Sequence, residues 1–184
     1  CYREGRGVER DPTESVRWFR KAAEQGLAMA QSNMGSAYQK GCGVPQDYAE
    51  AAKWYRLSAE QGDASDQCWL GYCFFKLKDE TESMKWYRLS AEQGFAKGQY
   101  NLGVNFEKGH GVAKDDAEAL KWYRLAAEQG LAEAQVAIGF CYAKGSGVVK
   151  DDAKAVRWYR LAAEQGNASA QGTLGYCYEQ GRGV

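Results

Sequence analysis

The side chains with the widest chemical range in this sequence are its six cysteines, because thiolates form disulfides, bind zinc and act as nucleophiles. Four of them occupy the same phase of an internal repeat: Cys1, Cys73, Cys141 and Cys177. Other copies carry alanine or asparagine there, so we interpret these cysteines as small apolar fillers. Equivalent positions in neighbouring units are expected roughly 10 Å apart, beyond the ~7 Å Cα separation that a disulfide spans. The sequence therefore predicts reduced, structural thiols, which favours a reducing compartment such as the cytoplasm.

Metal binding, acid–base catalysis and phosphate binding find no support in the residue pattern. Zinc sites are typical of Cys-x-x-Cys pairs or clustered histidines, and the sequence has neither. Its single histidine, His110, lies in the variable slot of a glycine turn with no base or nucleophile fixed beside it. The Gly-x-Gly of the loop KGCGVPQD (40–47) follows a predicted helix rather than a strand, and it lacks the Lys-Ser/Thr of a phosphate-binding loop. We expect no catalytic residue, no metal and no cofactor.

Composition excludes two broad classes of partner. Lys plus Arg number 24 and Asp plus Glu number 24, so no overall charge draws the chain to nucleic acid or to an anionic membrane. No apolar run approaches the ~18 residues that span a bilayer, so we expect no membrane insertion by this segment. Hydrophobic residues make up 45% of the chain, which is ordinary for a folded protein, and the presence of only two prolines favours helices.

The elements that must position any functional side chain are set by a repeat. The segment KWYRLAAEQG (121–130) has four close copies, and each copy ends in a glycine. These glycines are spaced by 36, 32, 36 and 36 residues: Gly26, Gly62, Gly94, Gly130 and Gly166. Such a period is typical of helical solenoids, whose units bury a face only against their neighbours.

We therefore predict a single repeat array over residues 1–184. It consists of a partial unit 1–26, full units 27–62, 63–94, 95–130 and 131–166, and a partial unit 167–184. Because the opening CYREGRGV matches the closing CYEQGRGV in phase, we expect the array to be a segment of a longer chain.

Each full unit is predicted to contain two helices, helix A after one closing glycine and helix B before the next. An aspartate fifteen residues before each closing glycine marks the N-cap of helix B, and the glycine suits the left-handed position that ends it. Helix B carries a recurring tryptophan, which we expect to be buried, so that its removal costs roughly 3–5 kcal/mol. The arginine two residues later is expected to cover the ring with its stem and to keep its head in water. In unit 63–94 the connection between the helices is four residues shorter, and we expect distorted stacking there.

Helix A separates repeating positions from variable ones. Counted from the closing glycine at ~100° per residue, positions 2, 5, 8, 9 and 12 recur and share one face, which we predict to be packed. The glycine at position 9 is expected to let helix backbones approach closely. Positions 3, 6, 7, 10, 13 and 14 vary and form the opposing face, so they are the candidates for binding.

The variable face carries aromatic and cationic side chains that are typical of a protein-binding groove. Its candidates for partner binding are Trp69, Tyr72, Phe75, Tyr100, Asn101, Phe140 and Tyr176, together with Lys40 and Lys108. A second interpretation is that some of these rings fill gaps between adjacent A helices, especially Trp69 and Phe75 beside the shortened connection. The sequence leaves both interpretations open and does not identify the partner.

Together these residues form a family signature: A-E-Q-G-x-A, G-x-x-Y/F, G-x-G-V, an aspartate and W-Y-x-x-A at a 36-residue period. The pattern resembles the Sel-one-like repeats, relatives of the tetratricopeptide repeat, over the whole chain. The resemblance implies an all-α, right-handed superhelix (solenoid) of antiparallel helix pairs, with helix A on the concave side. It also implies a non-catalytic scaffold or adaptor, for example in signalling or secretion, that binds a protein or peptide partner.

The resemblance leaves two alternative functions open. Some cysteine-rich relatives are reported to bind or hydrolyse β-lactams, which would require a nucleophile such as Ser32 or Ser36, although no histidine or fixed lysine is obvious beside either. Some tetratricopeptide domains clamp an acidic peptide or a C-terminal carboxylate, and Lys40, Lys108 and Asn101 are the residues that would do so here.

Overall fold

The structure, a computed structural model, describes residues 11–184, so the prediction for Cys1 lies outside the described residues. The described residues form ten α-helices and no strand, which confirms the all-α fold. In chain order the helices are α1 (Pro12–Glu24), α2 (Ala28–Lys40), α3 (Tyr48–Ala59), α4 (Ala64–Lys76), α5 (Glu80–Glu92), α6 (Ala96–Lys108), α7 (Asp116–Glu128), α8 (Ala132–Lys144), α9 (Asp152–Glu164) and α10 (Ala168–Glu179).

The chain divides into two compact units, one ending at Ser90 and one beginning at Ala91. In the first unit α1 packs on α2, α2 on α3 and α3 on α4; in the second α6 packs on α7, α7 on α8, α8 on α9 and α9 on α10. These contacts between consecutive helices are those of a solenoid. The even-numbered helices are the predicted A helices, and the odd-numbered ones are the predicted B helices.

The predicted ends of helix B are confirmed. The Asp47 carboxylate accepts hydrogen bonds from the backbone N–H groups of Ala49 and Glu50 at 2.8 and 3.0 Å. The aspartates at 11, 79, 115 and 151 cap their helices in the same way. Each cap satisfies N–H groups of the first turn and is worth about 1 kcal/mol. The closing glycines have positive φ, 98° at Gly62 for example, a conformation that glycine adopts readily.

A tyrosine from helix B, rather than the tryptophan before it, forms the centre of each helix pair. The buried rings are those of Tyr55, Tyr87, Tyr123 and Tyr159. Each ring lies over the position-9 glycine of the preceding helix A, where an added Cβ would come within 2.4–2.8 Å of it: Gly35, Gly71, Gly103 and Gly139, respectively. The glycine therefore admits a tyrosine ring. At Gly103 the backbone of helix B is close as well, since an added Cβ would lie 3.2 Å from the Ala119 carbonyl oxygen.

The prediction that every tryptophan of helix B is buried is wrong. Trp86 is buried, with 7% of its surface exposed, but Trp18 is 51% exposed and the tryptophans at 54, 122 and 158 are half-buried. Adjacent helical residues point ~100° apart, so a tryptophan lies at the edge of the pair once its tyrosine neighbour faces helix A.

Recurring polar contacts join successive helices within each of the two compact units. Gln61 Nε2 donates to Gln31 Oε1 at 2.9 Å, and Gln31 Nε2 donates to the Ala23 carbonyl at 3.3 Å, which links α3 to α2 and α2 to α1. The second compact unit has the same two hydrogen bonds: Gln129 Nε2 donates to Gln99 Oε1, and Gln99 Nε2 donates to the carbonyl of residue 91.

The heads of the recurring arginines also find protein partners. Arg20 donates to the Tyr38 hydroxyl at 2.7 Å, and Arg160 donates to the Tyr178 hydroxyl at 2.7 Å. These hydrogen bonds tie helix B to the tyrosine at position 12 of the next helix A. Arg160 remains exposed to water, as predicted, whereas Arg20 is half-buried.

The shortened connection between α4 and α5 keeps the backbone hydrogen bond that closes a full-length connection, and the expected distortion of stacking stays a prediction. The backbone N–H of Asp79 donates to the Phe74 carbonyl at 2.9 Å, and the full-length connection closes with the same bond, from Asp47 to Tyr38 at 3.0 Å. The shorter path places Lys78 at φ 66°, the one positive φ of a non-glycine residue in the described chain. This left-handed conformation costs roughly 1–2 kcal/mol.

Candidate functional site

In residues 91–184, α6 and α8 line an open groove of about 370 Å³, which we call the helix-A groove. Its apolar lining from these helices includes Tyr100, Val104, Val136, Ala137 and Phe140. Its charged lining consists of Glu107, Lys108, Glu133 and Lys144. All nine residues occupy the variable positions 3, 6, 7, 10, 13 and 14 of helix A, the face that the sequence analysis names as the candidate for binding.

The two aromatic candidates in the groove differ in exposure. Phe140 is 41% exposed and rests edge-on against Tyr159, with ring centroids 5.4 Å apart. Tyr100 is half-buried beside Tyr123, with centroids 5.7 Å apart. Burial, followed by the nearby carboxylate of Glu133, raises the pKa of the Tyr100 hydroxyl. Tyr100 is therefore neutral at physiological pH and its hydroxyl can donate a hydrogen bond.

Glu107 is the most constrained charge of the groove. Its carboxylate accepts hydrogen bonds from the Lys108 ammonium and from the Tyr123 hydroxyl, both at 2.6 Å. Burial acts to raise the pKa of Glu107, but these hydrogen bonds and the positive charges of Lys108 and Lys144 outweigh it and hold the pKa below its ordinary value. Glu107 is thus ionised at neutral pH, and it engages one of the two lysines of the groove.

Cys141 also lines the helix-A groove, and burial raises its pKa to about 11. Burial likewise raises the pKa of Cys73 to about 12. Thiols with such values are protonated at neutral pH and react slowly as nucleophiles, as expected of apolar fillers. Within residues 11–184, no three His, Cys, Asp or Glu side chains cluster as metal ligands. In the same residues, no helix has the length and apolarity of a membrane span.

The predicted site residues of the first unit do not form one comparable groove. Trp69 and Lys40 line a smaller cavity of about 180 Å³. Tyr72 packs edge-on against Trp69 and Tyr48, with centroids 6.1 and 6.2 Å away, a packing that favours the gap-filling interpretation for this ring. Phe75 is 37% exposed at the end of α4 and lines neither this cavity nor the helix-A groove.

The remaining candidates lie in the second unit. Tyr176 on α10 is 53% exposed and shares with Phe140 a further cavity of about 230 Å³. Asn101 is half-buried on α6 and is not part of the lining of the helix-A groove. Of the nine predicted residues, the groove thus brings together Tyr100, Phe140 and Lys108.

Sequence reasoning missed a buried carboxylate in the first unit. Asp66 on α4 is 4% exposed and accepts hydrogen bonds from Ser32 Oγ at 2.8 Å and Ser58 Oγ at 2.5 Å, so it bridges three helices. Burial raises the pKa of Asp66, and the two hydroxyl hydrogen bonds oppose that shift. The available signal was its phase, because the other full units place Ala30, Gly98 or Ala134 at this position of helix A.

The repeat pattern and the solenoid of helix pairs point to one family. The Sel1 repeat matches six consecutive segments of the chain: residues 1–27, 28–63, 64–95, 96–131, 132–167 and 168–184. The chain belongs to the Sel1-repeat family. Sel1-repeat proteins typically act as protein-interaction scaffolds.

Several solved structures share this Sel1-repeat fold. A Sel1 repeat protein from Oxalobacter formigenes is 39% identical, with a TM-score of 0.89 over 98% of this chain and 73% of its own. A protective antigen present in uropathogenic Escherichia coli strains is 40% identical, with a TM-score of 0.84 over 98% of this chain and 39% of its own. Helicobacter pylori cysteine rich protein B, at 22% identity and a TM-score of 0.57 over 70% of this chain and 96% of its own, shares the fold alone. No curated protein matches the sequence.

Proposed function

We propose that this Sel1-repeat segment is a non-catalytic scaffold that binds a peptide or protein partner in the helix-A groove. One observation carries the proposal: side chains at variable positions of two successive A helices line a single groove. The recurring positions are used for packing, through the buried tyrosines and the glycines beneath them. The variable positions are therefore available to select a partner.

The lining of the groove indicates the chemistry of that partner. Tyr100 and Phe140 offer aromatic surface to an apolar side chain, the usual anchor of a peptide in a helical groove. Glu133 lies in the first turn of α8 and Lys144 in its last, so the two charges are about 16 Å apart along the helix. A peptide with an apolar anchor between charges of opposite sign fits this arrangement.

The proposal is tested by selecting ligands from a phage-displayed peptide library on the intact segment. Selected peptides are expected to carry an apolar anchor, and to shift the amide resonances of α6 and α8 in labelled protein. The double variant Tyr100→Ala/Phe140→Ala should bind them at least about tenfold more weakly, since each anchor contributes on the order of 1 kcal/mol or more.

The matched control is Leu125→Ala/Leu161→Ala, which removes two similarly exposed apolar side chains from helices α7 and α9, outside the groove. This control should bind the selected peptides as the original chain does. Equal loss of affinity in both double variants, or resonance shifts confined to the B helices, would contradict the proposal.

A carboxylate clamp is the narrower form of the same proposal, because Lys108 and Lys144 line the groove together. It predicts that selected peptides end in a free carboxylate and lose affinity when amidated. Since Glu107 already engages Lys108, Lys144→Ala should weaken such a peptide more than Lys108→Ala does.

The β-lactam alternative would use the smaller cavity of the first unit, which Ser32, Ser36 and Lys40 line together. It requires nitrocefin turnover by the intact segment and its loss in Ser32→Ala or Ser36→Ala. Absence of turnover disposes of this alternative and leaves the binding proposal untouched.

A further inference from the structure

Gly-x-Gly-Val loops in this protein pack against the helix B of the preceding repeat. A Cβ on the second glycine of these loops would come within 2.2–2.3 Å of a carbonyl oxygen in the first turn of that helix: Gly43 on Pro12, Gly147 on Asp116 and Gly183 on Asp152. After the glycine, Val44 packs into the apolar cluster that contains Val16 of α1. Each of these loops thus packs a tight turn against the neighbouring helix B. The loop that contains Gly43 also packs the aliphatic side chain of Val44 there.

The connection between α4 and α5 lacks the four residues that form this turn. Where the loop would lie against α3, the structure has a groove of about 390 Å³, which we call the loop-gap groove. It is lined by Ala49, Ala52, Lys53 and Arg56 of α3, and by Phe74 and Leu77 at the end of α4.

Two features keep the loop-gap groove open. The junction of α4 and α5 closes with the same backbone hydrogen bond as a full-length connection, so the end of α4 and the start of α5 meet as they do there. In addition, α3 carries the small residue Ala52 at a position where other B helices carry a larger aliphatic residue: Val16, Leu120 and Val156. The alanine side chain is two or three carbon atoms shorter, which leaves space above α3.

The lining also has an uneven charge. Its charged members are two cations, Lys53 and Arg56, and it contains no carboxylate. Their ion-pair partners, Glu50 and Glu82, lie outside the lining, in pairs whose side chains are between about a third and 71% exposed. Such exposed pairs are weak, so the two cations can exchange partners at little cost.

We propose that the loop-gap groove binds a partner segment that supplies, from another molecule, what the missing loop supplies elsewhere in this chain: a small-residue turn bearing one branched aliphatic side chain next to a carboxylate. The small residues match the close approach seen at Gly43, and the aliphatic side chain takes the place that Val44 occupies against α1. The carboxylate pairs with Lys53 and Arg56. This surface is separate from the helix-A groove, and neither proposal depends on the other.

The probe is the capped peptide acetyl-Gly-Ser-Gly-Val-Asp-Asp-amide, which combines the chain's own turn at 145–148 with two carboxylates. Titrated into labelled protein, it is expected to shift the amide resonances of residues 49–56 and 74–77. Peptides with Val replaced by Ser, or with both Asp replaced by Asn, should bind at least about fivefold more weakly.

The decisive comparison is between the original chain and variants in which residues of the chain itself fill the loop-gap groove. Replacing Leu77–Lys78 with the six residues of 145–150 restores a full-length connection and should abolish the shifts. The substitution Ala52→Leu, which restores the residue type found at 120, is the milder variant if the graft does not fold, and should weaken binding about tenfold.

Three results would overturn the proposal. These are the absence of shifts at saturating peptide, shifts that persist unchanged in the graft or in Ala52→Leu, and affinity that is indifferent to the Val and Asp replacements.

Discussion

Gly139 lies directly beneath the ring of Tyr159, so close that a Cβ on Gly139 would stand 2.4 Å from the ring carbon Cε1. Each full repeat contains the same pair, and the tyrosine is among the most buried side chains in every case. Packing in the full repeats of this chain is therefore organised around a tyrosine ring that lies over a glycine, and the glycine recurs because any larger residue would displace the ring.

Gly139→Ala should destabilise the protein by roughly 1–3 kcal/mol, because the added methyl group overpacks the contact with Tyr159. Urea unfolding of the protein measures the change. The matched control is Gly175→Ala, at the same repeat position but with no atom near the site of the added Cβ, and it should raise stability by up to about 1 kcal/mol through helix propensity. Equal effects at the two positions would contradict the packing described here.

Tyr123→Ala should cost roughly 3–5 kcal/mol, as expected for a fully buried aromatic ring. Trp122→Ala should cost clearly less, because Trp122 is half-buried at the edge of the pair. Chemical unfolding of the two variants side by side checks the order. A larger loss for Trp122→Ala would restore the tryptophan as the centre of the repeat.

Lys78→Gly should stabilise the protein by about 1 kcal/mol, because glycine adopts the φ of 66° at this position without the steric cost of a Cβ. For a chain of this size the thermal midpoint should rise by about 2–4 °C. Lys76→Gly, two residues earlier and inside α4, serves as the control and should lower it. If both substitutions destabilise the protein, the left-handed conformation of Lys78 is not strained.

The stability difference between the original chain and Glu107→Gln should depend on pH. The pKa of Glu107 lies below its ordinary value of 4.5 in the folded state, so the unfolded chain takes up the proton first as the pH falls. The stabilisation by this carboxylate is therefore fully present above pH 4.5 and is lost as the pH falls through the folded-state pKa. Unfolding free energies measured from neutral to acidic pH test this.

Tyr123→Phe should reduce that pH-dependent difference, since it removes one of the hydrogen bonds to the Glu107 carboxylate. If the difference in unfolding free energy between the original chain and Glu107→Gln stays constant with pH, the hydrogen bonds and charges around the carboxylate do not stabilise its ionised form in the folded state.

Local features of the fold could be predicted from the sequence because each depends on one residue type at one helix end. The capping aspartates and the left-handed closing glycines are of this kind, and both predictions are confirmed. The prediction that Trp122 is buried was wrong, because its neighbour Tyr123 takes the core position. Both residues lie on helix B one position apart, and only the contact with Gly103 shows which of them faces helix A.

The polar contacts between helices were beyond sequence reasoning for a related physical reason. The bond from Gln61 to Gln31 and the bond from Arg20 to Tyr38 join residues 30 and 18 positions apart, so their partners are fixed by how the helices pack. The carboxylate of Asp66 is similar, because its serine partners lie on two other helices.

The variable face of helix A was predictable as a set of positions, but its grouping was not. Tyr100 and Phe140 lie 40 residues apart and meet in one groove, whereas Tyr72 is held against Tyr48. The difference follows from side-chain size at neighbouring variable positions: α8 offers Val136 and Ala137, which leave space, whereas α4 places Trp69 beside Tyr72.

The central claim is that recurring residues pack the fold and variable residues of helix A bind the partner. It is tested most directly by measuring the thermal midpoint and the affinity for selected peptides on the same sample of Tyr100→Ala/Phe140→Ala. We predict at least about tenfold weaker binding with a thermal midpoint lowered by no more than about 4 °C, because the two rings contribute more to contacts with the bound peptide than to packing of the core. A midpoint that falls by more than about 8 °C while the affinity is unchanged would show that these rings hold the helices together, and would contradict the account.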